Sequence, residues 1–375
     1  MQTMHPTLLV GPADWNPRRM PREEFDERLA ALWRDCPNAA GAVVYGNSSN
    51  HAALAYLTNF TPKLEAALAL IPRRGEAQLL IGGGVNMVAA AKPLTFVENL
   101  APLRDAAKTA AAWARALPAG DIILIGGDAM PFGMRRAFDQ ALGTDRNVEA
   151  ADAALLACMR IKRPRELRAL SETCATLDAA VKALRDASRD GKNVTDCILL
   201  AEHVALQRGA QDVRSLFSLD GGRTLRPFDL PIARQCNPLQ VYLAVRHNGY
   251  WVDGFVRVVT TDDALQEKVG GVLDAIVASV TPKLSCRDLA RIVDAGRARL
   301  RLHPLADDVF GSSIGLSLDE PPMLRRDGDA TFALGAVYSL RAGLRDETGA
   351  GALSSAIVAV SASGADVLWR DGVRS

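Results

Sequence analysis

Leu167, Leu170, Cys174, Leu177, Val181 and Leu184 recur at spacings of three and four along one segment. On a helix of 3.6 residues per turn, such positions form a single apolar stripe. A helix of that length with one apolar face must lie on a sheet or on other helices, so it anchors a layered domain. It is introduced by the basic segment "MRIKRPREL" (159–167), near a change of composition at about residue 155. Downstream the patterns predict a second helix over about 194–208, then strands near 212–219, 239–246 and 250–260. Helices follow over about 263–280 and 286–301, and strands over 336–344, 354–362 and 366–369. Ser285, with Asp288 three residues on, has the spacing of a capping box for the last helix. Paired helices followed by strands in hairpins predict an α+β domain with a curved antiparallel sheet.

The preceding part of the chain reads differently. Residues 20–35, "MPREEFDERLAALWRD", place Phe25, Leu29 and Leu32 on one helical face. Buried strands are expected at "AGAVVYG" (40–46), "AALALIP" (66–72), "AQLLIGG" (77–83) and "DIILIGGD" (121–128), with an Ala-rich helix over about 103–117. Alternating strands and helices predict a smaller α/β domain over 1–155, ahead of an α+β domain over 156–375. A chain of 375 residues is too long for one ordinary core and suits this division. "IGGGVN" (81–86) is not a dinucleotide-binding turn, because the position of the third glycine is Met87. It reads as the turn that ends a strand.

Composition narrows the function. Hydrophobic residues make up 49% and charged residues 23%, and 44 Lys plus Arg oppose 43 Asp plus Glu for a net charge of +1. That balance points to neither nucleic acid nor an anionic membrane as partner. Six cysteines without a CxxC pair predict neither a zinc knuckle nor a disulfide framework, and a reducing cytoplasm is the expected compartment. The first twenty residues lack the pattern of a signal peptide, and no apolar run reaches the ~20 residues of a membrane span.

The stretch with most chemical content is "FGSSIGLSLDEPPML" (310–324). It combines flexible backbone, small hydroxyls, the carboxylates of Asp319 and Glu320 and a rigid proline pair. Neither serine has a histidine or cysteine beside it, so a Ser–His–Asp triad is not indicated. His5, His51 and His303 carry no motif.

Five segments resemble, in order, the creatinase / aminopeptidase P / prolidase superfamily, whose catalytic domain has the pita-bread fold. "MRIKRPREL" is similar to its leading helix, and "NGYWVDGFVR" (248–257) to its GY-x-x-D-x-x-R segment. "GSSIGLSLDEPP" (311–322) resembles its GHGIGL-x-x-HEPP turn, "LGAVYSLRAGL" (334–344) its GMVfsiEPGL strand, and "SSAIVAVSASGADVL" (354–368) its closing strand pair. "NHAALAYLTNFTP" (50–62) is similar to the smaller N-terminal domain of creatinases and prolidases. The resemblance implies a pita-bread domain preceded by an α/β domain.

It also implies a site, and a departure from it. The family's dinuclear metal centre uses two Asp, one His and two Glu. Carried over, these fall on Tyr242, Asp253, Ser312, Arg341 and Ser355, with Ser354 as the alternative to Ser355. The second turn histidine falls on Asp319. One carboxylate among five ligands does not hold a pair of hard cations, and Arg341 puts a fixed positive charge where a dication would stand. The expected site therefore has no metal and no cofactor, as in creatinase. Creatinase's base, a histidine in a GAHNP loop, falls on or beside Arg226, so its mechanism does not carry over as it stands.

The expected activity is a metal-independent hydrolase, or related lyase, acting on a C–N bond of a small polar anionic substrate. Asp253 or Asp319 would handle protons, Tyr242 or Ser312 would donate to a developing oxyanion, and His247 would shuttle protons. Arg341, Arg226, Arg223, Glu320 and Ser355 would bind substrate. Each has a plainer reading: ion pairing with Arg257 or Arg341 for Asp253, pocket filling for Arg341, a solvated turn for Asp319 and Glu320. Ser312 and Ser355 would then be small fillers, Tyr242 core and His247 a strand end. Two rival functions remain at this level. One is a non-catalytic binding protein of the same fold, the other an Xaa-Pro peptidase-like metallohydrolase with misaligned ligands. The resemblance further implies a homodimer.

Overall fold

The computed structural model describes residue 11 and residues 14–228, 230–260, 262–305 and 309–372. The chain divides into two compact units, Met1–Met159 and Arg160–Ser375.

In the first unit, α1 (Arg22–Asp35), β1 (Ala39–Gly46), α2 (Ala52–Thr58), β2 (Ala67–Pro72), β3 (Gln78–Ile81), α3 (Val85–Ala91) and β4 (Asn99–Pro102) follow in sequence. Then come α4 (Ala106–Ala116), β5 (Asp121–Ile125), α5 (Phe132–Leu142), β6 (Val148–Ala150) and α6 (Asp152–Arg160). The strands form one mixed sheet in the order β4-β3-β2-β1-β5-β6, with β1 antiparallel to β2 and parallel to β5. The apolar runs become its buried strands, as their composition requires. The glycines after Ile81 lead from β3 into α3, with Gly84 at the helix start. On α1, Phe25 and Leu32 are buried and Leu29 is half-buried. Arg28 shares their face, its guanidinium 4.4 Å from the centre of the Tyr56 ring. The helices α2, α3, α5 and α6 were not legible; with seven to nine residues, α2, α3 and α6 show too few repeats to establish a period.

The second unit opens on α7 (Pro164–Arg189). Pro164 occupies its first turn, and the Glu166 carboxylate accepts from the Arg163 backbone N–H at 3.1 Å. Leu170, Cys174, Leu177, Val181 and Leu184 are buried as the stripe predicts, with Leu167 half-buried at its end. After α8 (Val194–Gln207), the strands β7 (Asp212–Ser218), β8 (Leu239–His247) and β9 (Tyr250–Val258) form an antiparallel sheet packed against α7. Next come α9 (Ala264–Ser279) and α10 (Cys286–Leu300). At the start of α10 the Ser285 hydroxyl accepts the Asp288 N–H and donates to the Asp288 carboxylate at 2.7 Å.

A second antiparallel sheet is built from β10 (His303–Pro304), β11 (Val309–Ser313), β12 (Glu320–Arg325), β13 (Val337–Arg345), β14 (Gly351–Ser361) and β15 (Gly364–Arg370). Its order is β12-β11-β13-β14-β15, with β10 on β13. Pro321 and Pro322 therefore lie on an edge strand, where a missing N–H breaks no ladder. Along β13, Tyr338, Leu340, Ala342 and Leu344 join the core with Leu273, Ile276 and Leu289 of α9 and α10. Strand alternation turns Ser339 and Arg341 to the other face.

The two sheets meet along β9 and β14 through side chains. Gln240 donates to the Leu353 carbonyl at 3.2 Å and accepts its N–H at 3.0 Å. The Phe255 N–H reaches the Ser355 hydroxyl at 2.7 Å, and Arg257 reaches the Gly351 carbonyl at 2.8 Å. Gly254 leaves the space that the Trp369 ring fills. This seam brings the polar face of β8 and β9 against that of β13 and β14.

Candidate functional site

The site is assembled by strand parity. Tyr242 and Asp253 are eleven residues apart, but the β8–β9 hairpin pairs Tyr242 with Phe255 and Ala244 with Asp253. They are therefore diagonal neighbours on one face, and the Tyr242 hydroxyl donates to Asp253 Oδ2 at 3.1 Å. On the second sheet Ser312 stands opposite Ser339, and Arg341 opposite Ser355. The register puts Ser355 on the cleft face. Ser354 has the parity of Ala352, Ala356 and Val358, which pack on the helices. Ser312 donates to Asp319 Oδ1 at 3.0 Å. Gly311, at φ 145°, is required here, because a Cβ would collide with the Ser339 carbonyl.

Asp253 is the electrostatic centre. It is 8% exposed, and its Oδ1 has no hydrogen-bond partner of normal geometry. Burial pushes its pKa up, and the charge of Asp319 adds to the rise. Hydrogen bonding from the Ser339 and Tyr242 hydroxyls and the charge of Arg341 oppose it, and the net direction is upward. Burial, then the charge of Asp253, raises the Tyr242 phenol, which stays a donor at every physiological pH. Arg341, half-buried, also donates from Nε to the Val309 carbonyl at 3.4 Å.

The structure thus brings together Tyr242, Asp253, Ser312, Asp319, Arg341 and Ser355, and it adds Ser339. Sequence reasoning missed Ser339, although it lies two residues before Arg341 and so shares its face.

Other expected residues lie elsewhere. His247 has the opposite parity on β8. Its Nδ1 meets the Thr176 hydroxyl of α7 at 3.0 Å and its carbonyl accepts from Thr173, so it is no shuttle for this cleft. Glu320 is buried against Lys162 at 2.6 Å and is engaged within the protein. Arg223 donates to the Gly349 carbonyl. Arg226 pairs by backbone with Phe217 and lays its guanidinium 5.4 Å from that ring. Both arginines are exposed. Asp253 does not pair with Arg257, whose Nε meets Asp263 at 2.5 Å.

Among the described residues, no three His, Cys, Asp or Glu side chains come together as a metal would require. The cluster offers two carboxylates and one guanidinium, a donor set that does not fit a pair of divalent cations.

No family model and no curated protein matches the sequence. Solved structures do. The prolidase from Pyrococcus horikoshii is 15% identical with a TM-score of 0.72, covering 93% of this chain and 98% of that one. The X-Pro aminopeptidase from Thermotoga maritima is 15% identical with a TM-score of 0.75, covering 92% and 96%. The N-terminal domain of the FACT complex subunit SPT16 from Cicer arietinum is 13% identical with a TM-score of 0.65, covering 92% and 96%. What these likenesses establish is the fold: the chain adopts the pita-bread architecture of the creatinase and aminopeptidase P superfamily, with a smaller α/β domain before it.

Proposed function

We propose that the cleft belongs to a metal-independent hydrolase, or related lyase, acting on a C–N bond of a small polar anionic substrate. The observation that carries this is Asp253: a sealed carboxylate with a raised pKa, in the field of both a second carboxylate and an arginine. Two acids whose surroundings differ in this way divide acid and base work between them. Asp319, exposed at the cleft, takes a proton from the attacking water. Asp253, held toward its neutral form, returns one to the leaving nitrogen. Arg341 orients the substrate carboxylate, and a hydroxyl of Tyr242 or Ser312 faces the developing oxyanion. The prolidase and the aminopeptidase among the structural neighbours are hydrolases, which supports the reaction class. The donor set supports independence from metal.

A panel of dipeptides and N-acyl amino acids, assayed with and without chelator, tests the reading. Turnover that survives EDTA and falls on Asp253→Asn, Asp319→Asn and Arg341→Ala, made separately, is expected. Rates unchanged in all three variants, or activity that needs added manganese, overturn it.

One observation favours a binding role instead. The hydroxyls of Tyr242 and Ser312 are already engaged by Asp253 and Asp319, and one neighbour of the same fold is a subunit of a complex. A single stoichiometric partner in a pull-down, with no turnover across the panel, supports that alternative. We further propose a homodimer, to be checked by sedimentation. A cytoplasmic location accords with six unpaired cysteines. No helix among the described residues is long and apolar enough to cross a membrane.

A further inference from the structure

Lys162 lies just before α7, and its backbone N–H donates to the Gly335 carbonyl at 2.9 Å. Its ammonium reaches Glu320 Oε2 at 2.6 Å, with side chains 1% and 5% exposed. The other oxygen, Oε1, accepts the Leu316 N–H at 2.7 Å and the Ser317 N–H at 3.3 Å. One carboxylate thus closes the turn that separates β11 from β12. Gly315 makes room for it, since a Cβ there would come within 2.8 Å of both the Lys162 ammonium and Oε1. The Gly315 carbonyl accepts the Trp251 N–H at 2.7 Å, which ties the same turn to β9 two residues before Asp253. Asp319 precedes Glu320 and is held from its other side by Ser312.

A buried ion pair is a poor source of net stability, because desolvating two charges offsets their attraction. What this pair supplies is direction. Both oxygens of Glu320 are bonded, so the turn has one arrangement.

We propose that Lys162 and Glu320 are positioning residues of the cleft: their ion pair fixes the 314–320 turn so that Asp319 is held in the field of Asp253. The inference rests on the functional reading only in treating those two acids as catalytic, and its test needs no turnover.

The double variant Lys162→Met/Glu320→Gln removes both charges and keeps an acceptor for the two turn amides. Its fold is checked by near-UV circular dichroism. Carboxyl carbon NMR then follows the titration of Asp253, assigned with Asp253→Asn, and hydrogen exchange follows the Leu316 amide. Release of Asp319 lowers the Asp253 pKa by about half a unit or more and speeds Leu316 exchange at least about tenfold. Gly315→Ala, which wedges the pair apart without removing a charge, gives the same two changes and serves if the double variant does not fold. An Asp253 titration and a Leu316 exchange rate both equal to wild type, in either variant once folded, overturn the proposal. Lack of turnover in wild type with both shifts present counts against the functional reading alone.

Discussion

A carboxylate shut away from water takes its proton affinity from its neighbours, and Asp253 has neighbours of both kinds. Because the Tyr242 hydroxyl stabilises the charged form, Tyr242→Phe moves the Asp253 pKa further up, by about one unit, as carboxyl carbon NMR will register. Asp253→Asn removes the sealed acid; turnover should fall by about 100-fold or more while the thermal midpoint holds or rises. The residues gathered here were legible wherever a motif position carried them, as for Tyr242, Ser312, Asp319 and Arg341. Ser339 lay inside a motif segment but at no ligand position, and came to light only through strand parity. Glu320 looked available to substrate because its partner, Lys162, is 158 residues away in the chain.

Among elements, the seam between β9 and β14 decides whether the two polar faces meet. Ser355 acts there as an acceptor for the Phe255 N–H rather than as a ligand to substrate. Ser355→Ala leaves a buried N–H without a partner, so a loss of about 1–3 kcal/mol is expected in denaturant unfolding. Gly311→Ala sets a Cβ against the Ser339 carbonyl at a backbone angle that side chains rarely adopt. It should cost more than about 2 kcal/mol by the same measurement. The helices α7 to α10 and the longer strands were readable because each repeats its period several times. The hairpin of β11 and β12 was not, since two prolines and a Gly–Ser–Ser run read as a turn. Only the place of β12 on the edge of the sheet lets a strand contain the prolines.

For the molecule as a whole, the acid to watch is Asp371, which joins α7, α9 and the end of β15. It accepts from Arg185 and from Gln266 at 3.2 Å, and burial first of all pushes its pKa up to about 6. The folded chain therefore holds this proton more tightly than the unfolded chain, whose acid titrates at its ordinary value of 3.8. Stability from this group is highest below the lower value, declines as pH rises through the interval, and levels off above the upper one. The stability difference between wild type and Asp371→Asn should shift across that window by about 2–3 kcal/mol, measured by urea unfolding at stepped pH. Asp253, raised in the same direction, adds a slope of the same sign. The sequence by itself determined the two-domain order and the periods of the long elements, because those are written in residue type and local spacing. Which face each residue takes, and which charges find each other, was decided by the tertiary structure alone, since one step of strand register moves a side chain from cleft to core and ion-pair partners need not be near in sequence.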